Sequence, residues 1–370
     1  MTQVAIIGAG MHPCGRHPDK TFADIAFTAA QNALDDAGAN WTDIQAFFAS
    51  HTRQGISAGE IIGQEFGLTG IPMFNVENAC ASGTTAIHMA TQAIKSGAHD
   101  VVLVAGFEKM QRGVIGGIGE PSSFGARMGL NVMPAMYALK AKKHMHEFGT
   151  TEEQMAMVAV KNHKNGALNP IAQYRNEVTL EEVMNSRLVC DPIKLLECCP
   201  TSDGAAAIVL ASDKVARRFT QKPLIYVAGS SVETSRYGVD DWEASRRTAE
   251  TAYEMAGIGA GDIQLAECHD AFTIGEIMHY EELGFCPIGE GGRFIEEGHA
   301  DITGKLPVNP SGGLKARGHP LGMTGVAQVC EITWQMRGEA GPRQVQNDPK
   351  AAITHTQGYG GVCAVAVFKK

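Results

Sequence analysis

An alternating α/β chain made of two similar halves is the fold class that this sequence predicts. Strand-like and helix-like patterns succeed one another from the first residues to the last, as a sheet flanked by helices requires. Ala37-Gly38 followed by Asp43-Ile44-Gln45 recurs as Ala256-Gly257 followed by Asp262-Ile263-Gln264, a displacement of 219 positions throughout. Both copies sit between an amphipathic helix and a strand, so one topology is expected twice. From about Gln111 to Pro200 the alternation gives way to helices, the pattern of an inserted subdomain covering a site.

The elements follow in order. Val4 to Gly8 reads as a strand, Asp24 to Ala37 as a helix ended by Gly38, and Ala46 to Ser50 as a strand. Ser57 to Phe66 is a helix. Phe74 to Glu77 is a strand that turns into a helix over Ser82 to Ile94, and Val101 to Ala105 is a wholly apolar strand. Met133 to Phe148 and Thr151 to Asn165 are helices of the inserted segment, with basic clusters at Lys140 to Lys143 and Lys161 to Lys164 that read as solvated faces. Pro223 to Ala228, Trp242 to Ala256 and Ile263 to Glu267 repeat strand, helix, strand. Thr273 to Leu283 and Met323 to Met336 are helices, and Ala351 to Thr354 and Val362 to Phe368 are closing strands.

At 370 residues the chain can bury a large core. A formal net charge of -9 and no long basic run argue against a nucleic-acid partner. An anionic substrate would need a local basic patch. No apolar run is long enough to span a membrane, and Met1-Thr2-Gln3 leads straight into a strand, so neither membrane nor signal peptide is expected. The 9 cysteines form no paired framework, which points to a reduced, cytoplasmic setting.

Chemistry concentrates in four segments. Cys80 lies in Asn78-Ala79-Cys80-Ala81-Ser82-Gly83-Thr84-Thr85-Ala86, at a strand-to-helix elbow. A helix N-terminus and a nearby imidazole are the two devices that lower a thiol pKa from about 8.5, so Cys80 reads either as a reactive thiolate or, like many free cysteines, as an inert core thiol. Gly318-His319-Pro320-Leu321-Gly322 holds a histidine in a glycine/proline turn. His269 ends a strand in Glu267-Cys268-His269-Asp270-Ala271-Phe272, where a neutral imidazole can donate to an oxyanion. The loop Gly358-Tyr359-Gly360-Gly361 can aim backbone N–H groups at a carbonyl oxygen. Gly8-Ala9-Gly10 is no dinucleotide fingerprint, because Pro13 takes the third glycine position. His144 and His146 have no further ligands at metal spacing and read as surface residues; no metal site is expected.

Together these segments resemble the thiolase superfamily, specifically its sterol-carrier-protein type, over nearly the whole chain: Asn78 to Ala86, Pro200 to Ala207, His269 to Phe272 and Ser311 to Gly325. The resemblance implies two βαβαβαββ halves in a five-layered αβαβα body. The halves are expected at 1–110, completed by a strand near 204–212, and at 213–370, with 111–203 as the inserted loop domain. It implies an acyl-CoA C-acyltransferase that cleaves or forms a 3-ketoacyl-CoA, working on coenzyme A thioesters with no permanently bound cofactor. Cys80 would be the acylated nucleophile, His319 its base and His269 an oxyanion partner, with the backbone at Cys80 and Gly360 as further donors. A homodimer or tetramer is implied, as is a possible small partner with a zinc ribbon and an OB-fold. The sequence departs from the pattern at the second acid/base. Thr356 stands where many members carry a cysteine, and Ala271 stands where the sterol-carrier type carries one. Tyr359 is a candidate substitute. The gap leaves open a decarboxylating condensation with a Cys-His-His set, or a retro-aldolase or binding component of a complex.

Overall fold

The computed structural model describes residues 2–113, 122–238 and 242–370; residues 114–121, part of the inserted segment expected at 111–203, lie outside it. The first half runs β1 (Val4–Gly15), α1 (Phe22–Ala37), β2 (Ala46–Ser50), α2 (Ala58–Phe66), β3 (Met73–Val76), α3 (Ser82–Lys95) and β4 (Val101–Glu108). Then come α4 (Phe124–Arg127), α5 (Met133–Phe148), α6 (Glu152–Ala167), α7 (Leu180–Met184) and a small hairpin of β5 (Leu188–Cys190) and β6 (Ile193–Lys194). The chain returns through β7 (Asp203–Ser212), α8 (Asp213–Ala216), β8 (Ile225–Thr234), α9 (Trp242–Ala256), β9 (Leu265–Glu267) and α10 (Thr273–Glu282). It ends with α11 (Gly291–Glu296), α12 (Gly313–Ala316), α13 (Thr324–Arg337), β10 (Ala351–Gly358) and β11 (Val362–Lys369).

The repeated pentad has a physical cause. In each copy the Ala ends a helix and the Gly takes the left-handed conformation that closes it, at φ 68° for Gly38 and 66° for Gly257. The Asp then caps a short turn: Asp43 accepts from Asn40 N–H at 2.8 Å and Asp262 from Gly259 N–H at 2.9 Å. The next strands, β2 and β9, follow at once. The sheet order β3-β2-β4-β7-β1 on one side and β8-β11-β10-β9 on the other repeats one topology, with parallel and antiparallel neighbours in the same places. The isolated parallel bridge from Val308 to Ala266 stands where β3 pairs with β2. β1 and β8 join the halves at Ala5–Tyr226 and Ile6–Ile225.

Strand alternation sorts the core into layers. In β4, Val101, Leu103, Ala105 and Phe107 pack outward with Ile25 and Leu34 of α1, while Val102 and Val104 pack inward on Ile87 and Val326 of α3 and α13. In β11, Val365 and Val367 face the α9/α10 side, and Ala366 and Phe368 face α3 and α13. Helices α3 and α13 touch strands of both halves, so the sheet folds over this central pair and five layers result. Each fully buried Ile, Leu or Val contributes about 1.5–3 kcal/mol.

The central pair meets through glycines. A Cβ on Gly83 would stand 2.9 Å from Val326 N, and one on Gly325 would stand 2.4 Å from Thr84 N. Their absence brings the two helix N-termini, and the loops before them, side by side. Gly8 and Gly10 lie inside β1, against α1, so the dinucleotide reading is closed on geometric grounds as well. Among the described residues no helix is long and apolar enough to cross a membrane.

Candidate active site

Cys80 sits in the five-residue link between β3 and α3. Asn78 N–H donates to Ser82 Oγ at 2.8 Å, Ser82 Oγ donates to Ala79 O at 2.6 Å, and Ala79 N–H donates to Glu77 Oε1 at 2.7 Å. Ala79 has a φ of 50°. That left-handed conformation costs a residue with a Cβ about 1–2 kcal/mol, and the three bonds hold it.

His319 comes from the long link before α13. Its N–H donates to Ser202 Oγ at 3.1 Å, and its Nδ1 lies 2.8 Å from Thr324 Oγ1. The Thr324 hydroxyl donates to Pro320 O at 3.0 Å, so it accepts from Nδ1–H and leaves Nε2 as the lone-pair nitrogen. His269 packs edge-on to His319, with ring centroids 5.2 Å apart at 81°. The Cys80 thiol and one nitrogen from each ring lie within 4.8 Å of one another.

Burial decides the charge states. It holds His319 down to about 3, aided by Arg317, and holds His269 well below the usual imidazole range, aided by His319. It pushes the Cys80 thiol up to about 12, with the Glu108 carboxylate adding to the rise. The lowered thiol expected from the helix terminus is therefore corrected: desolvation outweighs the lowering by the backbone N–H of Cys80 itself. The resting pair is neutral thiol and neutral imidazole, so any attack by this sulfur would require its proton to move at the same time.

Glu108 also builds the site. Its carboxylate accepts from Thr52 N–H at 3.0 Å, Arg53 N–H at 3.0 Å and Gly322 N–H at 3.0 Å, tying the end of β4 to the loops around His51 and His319. Behind His269, Asp270 accepts from Leu314 N–H at 2.7 Å and from Asn162 Nδ2 at 2.8 Å. Asn162 also donates to Glu276 at 2.6 Å, and Glu276 pairs with Lys161 at 2.8 Å. Lys161 is thus a buried ion-pair partner, not part of a solvated helix face. His144 is buried as well, 2.6 Å from Thr150 Oγ1 and 3.2 Å from Glu281, which corrects its surface reading.

Cys80, His269, His319, Tyr359 and Gly360 line one cleft of about 920 Å³. Arg16, Arg53, Arg112 and Arg187 line it too, with Glu77 the one carboxylate residue among the described lining, and Arg16 is paired with Asp203 at 3.6 Å; the mouth of an acidic chain is thus locally basic. These arginines, and Cys199 on the same wall, escaped the sequence reading because no motif surrounds them. Ala271 lines the cleft, whereas Cys268 is buried with Asn309 Nδ2 3.6 Å from its sulfur. Thr356 does not line it: its hydroxyl donates to Thr84 Oγ1 at 2.9 Å behind the elbow. Gly358 is the loop residue against Asn78, where a Cβ would lie 2.4 Å from the carbonyl oxygen. A second buried trio, His279, Glu282 and His355, also brings donor atoms within 4.8 Å; its Nδ1 and Nε2 contacts go to Glu282 at 2.7 Å and Ser245 at 3.1 Å.

Comparison with known proteins accords with this geometry. Residues 4–214 match the family model "Thiolase, N-terminal domain", and residues 232–370 match "Thiolase C-terminal domain-like". The chain is 42% identical to an acetyl-CoA acetyltransferase of Methanothermobacter thermautotrophicus, covering 100% of both chains. It is 36% identical to sterol carrier protein 2 of Oryctolagus cuniculus, covering 100% of this chain and 72% of that one. A solved structure titled "Ltp2-ChsH2(DUF35) aldolase" superposes with a TM-score of 0.89 at 25% identity, covering 99% of this chain and 97% of that one. With thiolase models matching 4–214 and 232–370 and an acetyltransferase relative aligned over the full chain, the chain belongs to the thiolase family, in its sterol-carrier-protein-like branch, and is a thiolase-type acyltransferase.

Proposed function

We propose that the chain cleaves or forms a 3-ketoacyl-CoA through an acyl group carried on Cys80. The observation that carries this reading is the convergence of the Cys80 thiol, His319 and His269 within 4.8 Å in an arginine-rimmed cleft. In cleavage, His319 Nε2 takes the thiol proton as sulfur attacks the 3-keto carbon. The backbone N–H groups of Cys80 and Gly360 receive the oxygen of the tetrahedral intermediate, while His269 and His319 face the thioester oxygen, onto which the charge of the departing carbanion spreads. The C2–C3 bond then breaks, an acyl-CoA leaves, and coenzyme A releases the second acyl group from Cys80. The arginines suit the phosphates of coenzyme A, which they can grip by charge and by paired N–H donors.

Intact-protein mass after brief incubation with acyl-CoA, 3-ketoacyl-CoA and malonyl-CoA tests the reading. An acyl adduct at Cys80 from the 3-ketoacyl-CoA, released by free coenzyme A, is the expected result. Turnover that begins only with malonyl-CoA would replace it with the decarboxylating condensation. The acetyltransferase relative, aligned end to end, favours thiolysis over that alternative. A DUF35 partner, named with the aldolase relative, is the protein partner this reading carries. A dimer built on the first half suits the exposed edge strand β3, where Phe74 faces outward.

A further inference from the structure

The acyl-transfer reading leaves one proton without a carrier: the one that the departing acyl-CoA carbanion takes up on cleavage and gives up on synthesis. Ala271 lines the cleft with a methyl group where a thiol would serve. The segment beside it supplies one. Cys199 N–H donates to Ala271 O at 2.9 Å, and Cys198 bridges Phe272 in antiparallel register, so segment 198–199 runs alongside the His269 segment. The two cysteines are not equivalent. The Cys198 sulfur is engaged by its own turn, 3.4 Å from Lys194 O. Cys199 lines the same cleft as Cys80, His269, His319 and Ala271, and it is only partly buried. The buried ammonium of Lys315, fixed to Cys198 O at 2.6 Å, is the foremost charge acting on Cys199 and favours its thiolate.

We propose that Cys199 is the second acid/base of the reaction. The inference rests on the acyl-transfer reading above. In cleavage, Cys80 bonds to the 3-keto carbon and its proton goes to His319. The C2–C3 bond breaks, its electron pair stays on C2, and C2 takes the proton of Cys199, leaving acyl-Cys80, a Cys199 thiolate and a His319 imidazolium. The thiol of coenzyme A then gives its proton to Cys199, attacks the acyl carbon and expels the Cys80 thiolate, which recovers its proton from His319. Every group returns to its starting state, with no oxidant or reductant required. Burial pushes the resting Cys199 thiol well up, so it begins as the proton donor that cleavage needs.

The test separates carbon acid chemistry from acylation. In deuterium oxide, the wild-type chain should exchange the α-protons of acetyl-CoA. Cys199→Ala should lose exchange and thiolysis at least a hundredfold, and Cys199→Ser, which keeps a small polar side chain, should show the same loss. Acylation of Cys80 by p-nitrophenyl acetate, whose leaving group needs no proton, should stay within several-fold of wild type in both. Exchange and thiolysis near the wild-type rate in either variant overturn the assignment of Cys199 alone. A wild-type chain that takes no acyl group on Cys80 from any donor overturns the acyl-transfer reading, and this inference with it.

Discussion

The two halves leave the same topological position in opposite ways. After β3, five residues carry the chain into α3; after Val308, the residue that pairs with β9 as β3 pairs with β2, fifteen residues precede α13. The short link is a strained turn closed by its own bonds, and it presents Cys80. The long link folds around Glu267, Asp270 and Ser202, and it presents His319. A repeated frame has thus brought a thiol and an imidazole, the nucleophile and base of the proposed reaction, together by varying one loop length. A tight turn fixes a sulfur at one point, whereas a base needs a long loop with a buried framework to set its tautomer.

The sharpest way to break this comparison is to remove one side. Cys80→Ala should abolish acyl adducts at that position while leaving the thermal melting temperature near that of wild type, as read by intact mass and calorimetry. An adduct elsewhere that still turns over would move the nucleophile out of the short link. His319→Ala should slow acylation by about 10²–10⁴-fold, the range for a positioned general base. Thr324→Val, which removes the acceptor for Nδ1–H, should lower the acylation rate in the same direction by a smaller factor.

How much of this was open to sequence reading depends on the distance between partners. Helices α5 and α9 and strand β2 begin and end where periodicity and their flanking residues put them, because caps and apolar faces are local signals. β1 runs on to Gly15 because it pairs with β7 about 200 residues away, across a register shift at Gly8, which alternation cannot reveal. The motifs at Cys80, His269 and His319 were legible because glycine, proline and histidine punctuate loops. The Asp270–Asn162–Glu276 network was not: its members are 108 and 114 residues apart and resemble ordinary helix polar residues in sequence. The charge state of Cys80 was misread for the same reason, since burial is a property of the assembled cleft.

His269 belongs to neither link, and its removal sharpens the contrast between building a nucleophile and stabilising charge. His269→Ala should cut kcat by about 10²–10³-fold, with KM within several-fold of wild type. A change confined to KM would make it a binding residue. The pH dependence of alkylation bears on the pair itself. With the thiol raised to about 12, the thiolate fraction grows as pH rises, so iodoacetamide should inactivate about tenfold faster per pH unit from pH 6 to 10. With His319 lowered to about 3, its lone pair persists throughout that range and adds no acid limb. A plateau starting near neutral pH would instead reveal a preformed thiolate–imidazolium pair.

The smallest effect is the most particular to the short link. Ala79 carries its strained φ of 50° directly before the nucleophile, held by the Glu77 and Ser82 bonds. Ala79→Gly should relieve about 1 kcal/mol of that strain in the folded state, partly offset by the greater freedom glycine gives the unfolded chain. The net change in stability by chemical denaturation should therefore be below about 1 kcal/mol. Acylation should still slow by several-fold, because a freer turn holds the sulfur less tightly against His319. Unchanged acylation would mean that the three bonds alone fix the elbow and that the strained residue contributes nothing to the placement of Cys80. The long link would then be the more exacting of the two, despite its length.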